Sequence, residues 1–283
     1  MLIKDVKKLP VYERFLYWIH ERAAMLRHRI AGQPRPWTDD EILRDNYFTN
    51  VMREDDKTTI WLRNAIREPL KNDKEVVFAV ICFRWFNLID TGRLLVRHDL
   101  HCKWDLEKAV TLLEQRRDAG LQVFTGAFNI SNSGSAKPKI NRVCEDYIQP
   151  AWEARLGLLS DIIDGVTLAA ACKRLRQLPG LGGSGFMAAQ VVADLKYTRW
   201  LDSAPDWWCW SSPGPGSRRG IERLLGQPSL DWEKDMTEIR AMVSDGTGLD
   251  LHAQDVQSCL CEFDKYERVL WGEGRSKRRY NHA

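Results

Sequence analysis

The chain has 283 residues, of which 44% are hydrophobic and 29% charged, with a formal net charge of +3. This is the balance of a globular protein long enough for one large domain or two lobes, and so small a net charge excludes nucleic-acid binding driven by the field of the whole molecule. No apolar run approaches a membrane span and Met1-Leu2-Ile3-Lys4-Asp5-Val6-Lys7-Lys8 lacks a signal-peptide core, so no membrane association and a cytoplasmic location are expected.

Residues 11 to 29 have helical periodicity, with Phe15, Trp18, Ile19, Ala23 and Leu26 on one stripe, and Gly32-Gln33-Pro34-Arg35-Pro36 ends the pattern. Thr38 as N-cap, with Glu41 three residues on, opens the next helix. A helix over 55 to 67 is closed by Glu68-Pro69. Residues 75 to 86 read as a buried helix, although Val76-Val77-Phe78-Ala79-Val80-Ile81 alone fits a strand. A helix over 105 to 119 ends at Gly120, residues 121 to 128 are compatible with an extended stretch, and 131 to 138 form a loop by composition. Residues 139 to 177 return to helix, a glycine hairpin follows, and helices over 232 to 243 and 253 to 270 close the chain. The expected fold is all-α, a single bilobal domain with lobes 1–138 and 139–283 and the last helices packing back on the first lobe.

The hairpin is Leu178-Pro179-Gly180-Leu181-Gly182-Gly183-Ser184-Gly185. Gly180 and Gly182 allow a tight turn, and Gly183, Ser184 and Gly185 lead into a helix whose first N–H groups suit an anion such as a DNA phosphate. A plain inter-helix turn explains the same residues. Asp202 and Asp206 follow at one helix length, beside Trp207, Trp208 and Trp210. Either carboxylate suits a base or a cation stabiliser, and the tryptophans suit stacking with a nucleobase. A helix cap or surface turn is the competing account. Gly214, Gly216 and Ser217, with Arg218 and Arg219 ahead of a helix expected at 221–225, fit an anion nest for phosphate or pyrophosphate; a proline-glycine linker competes. Lys277, Arg278 and Arg279 make the end of the chain basic enough to meet DNA phosphates.

In the first lobe His20, Glu21, Arg53 and Glu54 belong to polar clusters that read on their own as solvated helix faces. Arg84 and Asn87 lie in a very apolar run and need partners, a carboxylate or a phosphate. His98, His101 and Cys102 have no second ligand pair at a supporting spacing, so no metal site is expected. Seven cysteines without framework spacing suit a reducing compartment.

The hairpin with Asp202 and Asp206 downstream resembles the helix-hairpin-helix DNA glycosylase superfamily. The resemblance implies a catalytic aspartate, best matched by Asp202 with Asp206 the near alternative. The lysine of lyase-type members falls at about Ser184, which implies no Schiff-base nucleophile. A narrower likeness spans nearly the whole chain. It is carried by Ile19-His20-Glu21-Arg22, Pro36-Trp37-Thr38, Asn50-Val51-Met52-Arg53-Glu54, Phe124-Thr125-Gly126-Ala127, Gly214-Pro215-Gly216-Ser217-Arg218-Arg219-Gly220 and Leu260-Cys261-Glu262-Phe263-Asp264-Lys265-Tyr266. These segments are similar to bacteriophage thymidine-hypermodification proteins: the α-glutamyl/putrescinyl thymine pyrophosphorylases, or amino acid:DNA transferases, and the related helical domain of 5-hydroxymethyluracil DNA kinases. No Gly-x-x-x-x-Gly-Lys-Ser/Thr run is present, which favours the transferase branch.

That resemblance implies action on double-stranded DNA carrying phosphorylated or pyrophosphorylated 5-hydroxymethyluracil, in the cytoplasm of an infected bacterium. A small amine (glycine, serine or a polyamine) replaces the pyrophosphate on the 5-methylene group. Asp202 or Asp206 is then the base, and Gly214, Gly216, Ser217, Arg218 and Arg219 hold the pyrophosphate. Gly180, Gly182, Gly183, Ser184, Gly185, Lys277, Arg278 and Arg279 hold the DNA. Trp207, Trp208 and Trp210, with Arg84, Asn87, His20, Glu21, Arg53 and Glu54, receive the extruded base. No cofactor is required, and a divalent or monovalent cation at the phosphates is compatible. The rival expectations are a glycosylase excising a modified base and a non-catalytic DNA-binding helical partner of a 5-hydroxymethyluracil DNA kinase.

Overall fold

The computed structural model describes residues 3–126, 136–161 and 166–274. Among these every regular element is a helix and none is a strand. After a short turn at Ile3–Val6 come α1 (Val11–Ile30), α2 (Glu41–Asp45) and α3, which runs Lys57–Leu62 and continues through a π-helical turn Arg63–Arg67 into Glu68–Leu70. Then follow α4 (Val76–Phe86), α5 (Ile89–Arg97) and α6 (Leu106–Asp118). The helix α7 is Lys139–Asn141, a π-helical stretch Arg142–Ile148 and Gln149–Asp161, and α8 is Leu168–Leu175. The last four are α9 (Phe186–Leu195), α10 (Pro215–Leu225), α11 (Trp232–Thr247) and α12 (Ala253–Leu270). No helix of the described residues is long and apolar enough to cross a membrane.

The chain gathers into two compact units, residues 1–56 with 208–283, and residues 57–207. The division thus falls at 56/57 and 207/208, not at the expected 138/139. The reason is packing: α12 shares its core with α1 and α2, whereas α4 shares its core with α7 and α9.

In the first unit, Phe15, Trp18 and Ile19 of α1 bury against Leu260, Phe263 and Tyr266 of α12 and Met236, Ile239 and Val243 of α11. The rings of Phe15 and Phe263 lie 5.0 Å apart. The helix α10 runs close along α12. A Cβ at Gly220 would stand 2.2 Å from the Leu260 carbonyl oxygen, and one at Gly216 would stand 2.3 Å from Cys261 Sγ. The two glycines, four apart, make one bare strip on which α12 sits. The helix therefore starts at Pro215, six residues ahead of the expected 221, with Gly214 as N-cap. Pro215 at the first helical position has no N–H to leave unpaired, and Ser217 Oγ accepts from Gly214 N at 2.9 Å while donating to Gly214 O at 3.1 Å. The helix-start expectation at Thr38 is corrected as well. The N-cap of α2 is Asp40, whose Oδ1 accepts from Leu43 N at 3.0 Å, and Thr38 Oγ1 instead accepts from Asp40 N.

In the second unit every residue of α4 is buried, the signature of a helix apolar on all sides, and the strand alternative for 76–81 falls away. Phe78 packs on Trp152, and Trp85 stacks on Tyr147 at 4.5 Å. The helix expected over 139 to 177 is two helices, because Thr167 Oγ1 accepts from Ala170 N and starts α8 afresh. Residues 121–126 are irregular, with Thr125 N donating to Phe86 O at 2.8 Å. Residues 127 and 128 and the loop 131–135 lie outside the described residues.

Candidate functional site

The glycine hairpin joins α8 to α9 in the second unit. Gly180 (φ +78°) lies so close to the stacked Trp85–Tyr147 pair that a Cβ would stand 2.7 Å from both rings. Gly185 (φ +74°) caps α9, and Arg176 Nη2 donates to Gly183 O at 2.9 Å. Gly182 is half-buried and Gly183 and Ser184 are exposed, so the tip of the turn faces solvent at the first turn of α9. Glycine here allows close packing at its base and leaves the tip bare.

The two candidate catalytic aspartates differ. Asp206 accepts from Leu168 N at 2.7 Å through Oδ1 and from Ala169 N at 3.0 Å through Oδ2, so both oxygens cap α8. Asp202 is exposed and makes no side-chain bond among the described residues. Trp207 is tied down: its Nε1 donates to Lys196 O at 2.7 Å, while buried Lys196 lies over the indole at 4.1 Å and donates to Trp207 O at 3.2 Å. Arg84 and Asn87 find their partners inside the unit. Arg84 Nε and Nη2 donate to the two oxygens of Asp194 at 2.6 and 2.7 Å, and Nη1 donates to Asn87 Oδ1 at 2.7 Å. Asp194 is 0% exposed, so this is a fully desolvated bidentate pair, and Asn87 takes the left-handed C-cap position of α4.

In the first unit Trp208 is exposed, lies 4.5 Å from the His252 ring and has the Arg240 guanidinium 5.3 Å above it. Trp210 is half-buried. The other first-unit candidates border a partly buried polar network, with Glu21, Arg53 and Glu54 half-buried and His20 exposed. Arg22 donates to Asn50 Oδ1 at 3.0 Å and to Thr49 O at 3.1 Å; Asn50 N in turn donates to Asp56 Oδ1 at 3.0 Å. Arg53 N donates to Asp255 Oδ1 at 2.9 Å, and Glu54 sits in the same short 3₁₀ turn. Glu21 accepts from Thr38 Oγ1, and His20 Nε2 lies 3.2 Å from Gly246 O. Tyr17 and Tyr266 both donate to Asp40 Oδ2, at 3.1 and 2.6 Å; burial first and that carboxylate second drive both phenol pKa values up. Burial likewise lifts the Asp56 carboxyl to about 6, against the opposing hydrogen bond from Asn50.

Arg218 and Arg219 are exposed on the first turns of α10, with Arg218 6.0 Å from the Trp232 ring. Arg219 is not a free cation. Its Nε donates to Asp264 Oδ2 at 2.8 Å, Arg223 Nε donates to Oδ1 at 3.0 Å, and Arg268 Nε lies 3.2 Å from Oδ2. Asp264 is 0% exposed. Sequence reasoning assigned no role to Asp264, Arg223 or Arg268, nor to Asp194, Asp40, Asp56 or Asp255. The available signal was an acidic residue inside an apolar stripe, as with Asp264 next to Leu260 and Phe263. Lys277, Arg278 and Arg279 lie outside the described residues.

The structure therefore gathers Gly214, Gly216, Ser217, Arg218 and Arg219 on the start of α10, and it places the hairpin, Asp206, Trp207, Arg84 and Asn87 within the other unit. Residues 9–276 match the family described as "5-hmdU DNA kinase, helical domain". Over an alignment of 313 positions the chain is 24% identical to a 5-hmdU DNA kinase of Bacillus phage SP10, covering 94% of this chain and 47% of that protein. The chain thus spans about half the length of this curated relative. No solved structure matches.

Proposed function

The chain belongs to the 5-hmdU DNA kinase helical-domain family, and from that premise we propose that it is a phage DNA-modifying transferase. In this reading it replaces the pyrophosphate of 5-(pyrophosphoryloxymethyl)uracil in DNA with a small amine. The supporting observation is the match of residues 9–276 to a helical domain named for 5-hmdU DNA, the modified base on which such a transfer acts.

The amine nitrogen forms a bond to the 5-methylene carbon as the carbon–oxygen bond breaks. The electron pair of that bond leaves on pyrophosphate, and the amine proton goes to a carboxylate. Asp202 suits this last role better than Asp206, because it is exposed while both oxygens of Asp206 accept helix N–H groups. The exposed hairpin tip suits a DNA phosphate. A second reading has one observation in its favour, the match to a helical domain described as part of a 5-hmdU DNA kinase: a helical DNA-binding partner of such a kinase, without turnover of its own.

The test is amine-dependent release of inorganic pyrophosphate from pyrophosphorylated 5-hydroxymethyluracil DNA. Wild type is expected to release it, and Asp202→Asn is expected to lose release with its melting temperature unchanged. Asp206→Ala is expected to be less stable by about 1 kcal/mol, the usual cost of a lost helix cap. Wild-type release by Asp202→Asn would remove the base assignment, and no release by wild type with any amine would favour the binding partner.

A further inference from the structure

The cluster at Asp264 is over-compensated. Three guanidinium groups converge on one buried carboxylate, and among the described residues the only other acid in contact is Glu273, which accepts from Arg223 Nη2. A clasp between α10 and α12 needs a single arginine. Extra positive charge held close together in a half-buried place raises the free energy of the fold unless an anion completes it.

The geometry leaves donors for that anion. An ionised carboxylate offers about four acceptor sites. Arg219 and Arg223 donate to it through Nε, and Arg268 Nε lies 3.2 Å from Oδ2 as an ion pair without a hydrogen bond, so the carboxylate meets the root of each guanidinium and not its fork. Among the described residues, Arg219 makes no other side-chain bond and Arg268 makes no side-chain hydrogen bond at all, and their side chains are 48% and 35% exposed. Arg219 is thus hydrogen-bonded at one end and Arg268 held there by charge alone, and both are open to solvent at the other. A planar guanidinium held this way presents its Nη–H groups with little rotamer freedom left to lose on binding.

We infer that Asp264 organises Arg219, Arg223 and Arg268 into a binding site for a phosphate group. The same chemistry fits a phosphodiester of the DNA backbone or a free pyrophosphate. The site does not depend on the transfer reaction, since it requires only a phosphate and no amine. Asp264 is here a positioning residue, and the arginines carry the contact.

The test uses the full chain and two probes without amine: inorganic pyrophosphate by calorimetry, and an unmodified duplex by fluorescence anisotropy at several salt concentrations. The paired variant Arg219→Gln with Arg268→Gln is expected to bind at least one probe about tenfold more weakly, the effect of losing a hydrogen bond to a charged group. Loss for pyrophosphate alone identifies the free anion. Loss for the duplex, with a salt slope shallower by about one per contact removed, identifies the DNA backbone. If the paired variant does not fold, Arg268→Gln alone keeps the Arg219 and Arg223 pairs to Asp264, and the same weakening is expected from it. Equal affinity of variant and wild type for both probes would overturn the proposal, as would wild type binding neither. A lowered melting temperature with unchanged affinities would overturn it too, reducing the trio to a helix clasp.

Discussion

Asp194, Asp206, Asp56 and Asp264 are held by four different sets of donors, and those donors decide what each carboxylate can do. Asp194 answers the bidentate fork of Arg84 in a dry core, so truncating either partner alone would strand a buried charge. The need of Arg84 for a partner was legible from its apolar run; the identity of that partner, 110 positions along the chain, was not. Asp206 belonged to the cap reading, but the helix it caps begins 38 residues earlier, a distance no local pattern spans. Asp56 gives a pH-dependent outcome. Its carboxyl is lifted from 3.8 to about 6 by burial, so the folded protein holds this proton more tightly than the unfolded chain does. Its contribution to stability is therefore full below the unfolded value and is lost as pH rises through about 6. Asp56→Asn, whose carbonyl can still accept from Asn50, is expected to flatten the pH dependence of urea midpoints across that window. A variant that keeps the wild-type pH dependence would contradict this assignment.

The glycines of α10 illustrate what a single element hides in sequence. Gly214, Gly216 and Gly220 with two prolines suggest a loop, and that is how the stretch reads by composition. In the fold, Pro215 and Ser217 start a helix, and Gly216 and Gly220 let it lie against α12. Gly220→Ala is expected to be destabilising by about 2 kcal/mol or more, because its Cβ meets a backbone carbonyl that cannot turn away. Gly216→Ala should cost less, since it meets the end of the Cys261 side chain. Denaturant midpoints measure both, and wild-type stability of Gly220→Ala would contradict the packing role. Helices with a long apolar period, such as α1 and α12, were legible to within a residue or so. Their pairing was not, because periodicity marks a buried face without naming what covers it. The break between α7 and α8 had a readable signal in Thr167, an N-cap residue ahead of Leu168.

At the scale of the whole molecule, the segments that carry the family likeness are far apart in sequence and meet in space. Residues 19–22, 36–38, 50–54, 214–220 and 260–266 all fall in the first unit. There they bind one another: Arg22 to Asn50, Thr38 to Glu21, Arg219 to Asp264. Residues 124–126 lie in the second unit, with the glycine hairpin and both candidate aspartates. These contacts tie the five segments into polar and arginine–carboxylate pairs within one unit. The central claim is that an amine replaces pyrophosphate on the base. It is tested most directly by mass spectrometry of nucleosides from pyrophosphorylated 5-hydroxymethyluracil DNA, after incubation with the protein and a mixture of glycine, serine and polyamines. The account expects a new thymidine carrying the mass of one amine, with the glycosidic bond intact. Unchanged nucleosides, or abasic sites with a released base, would contradict it.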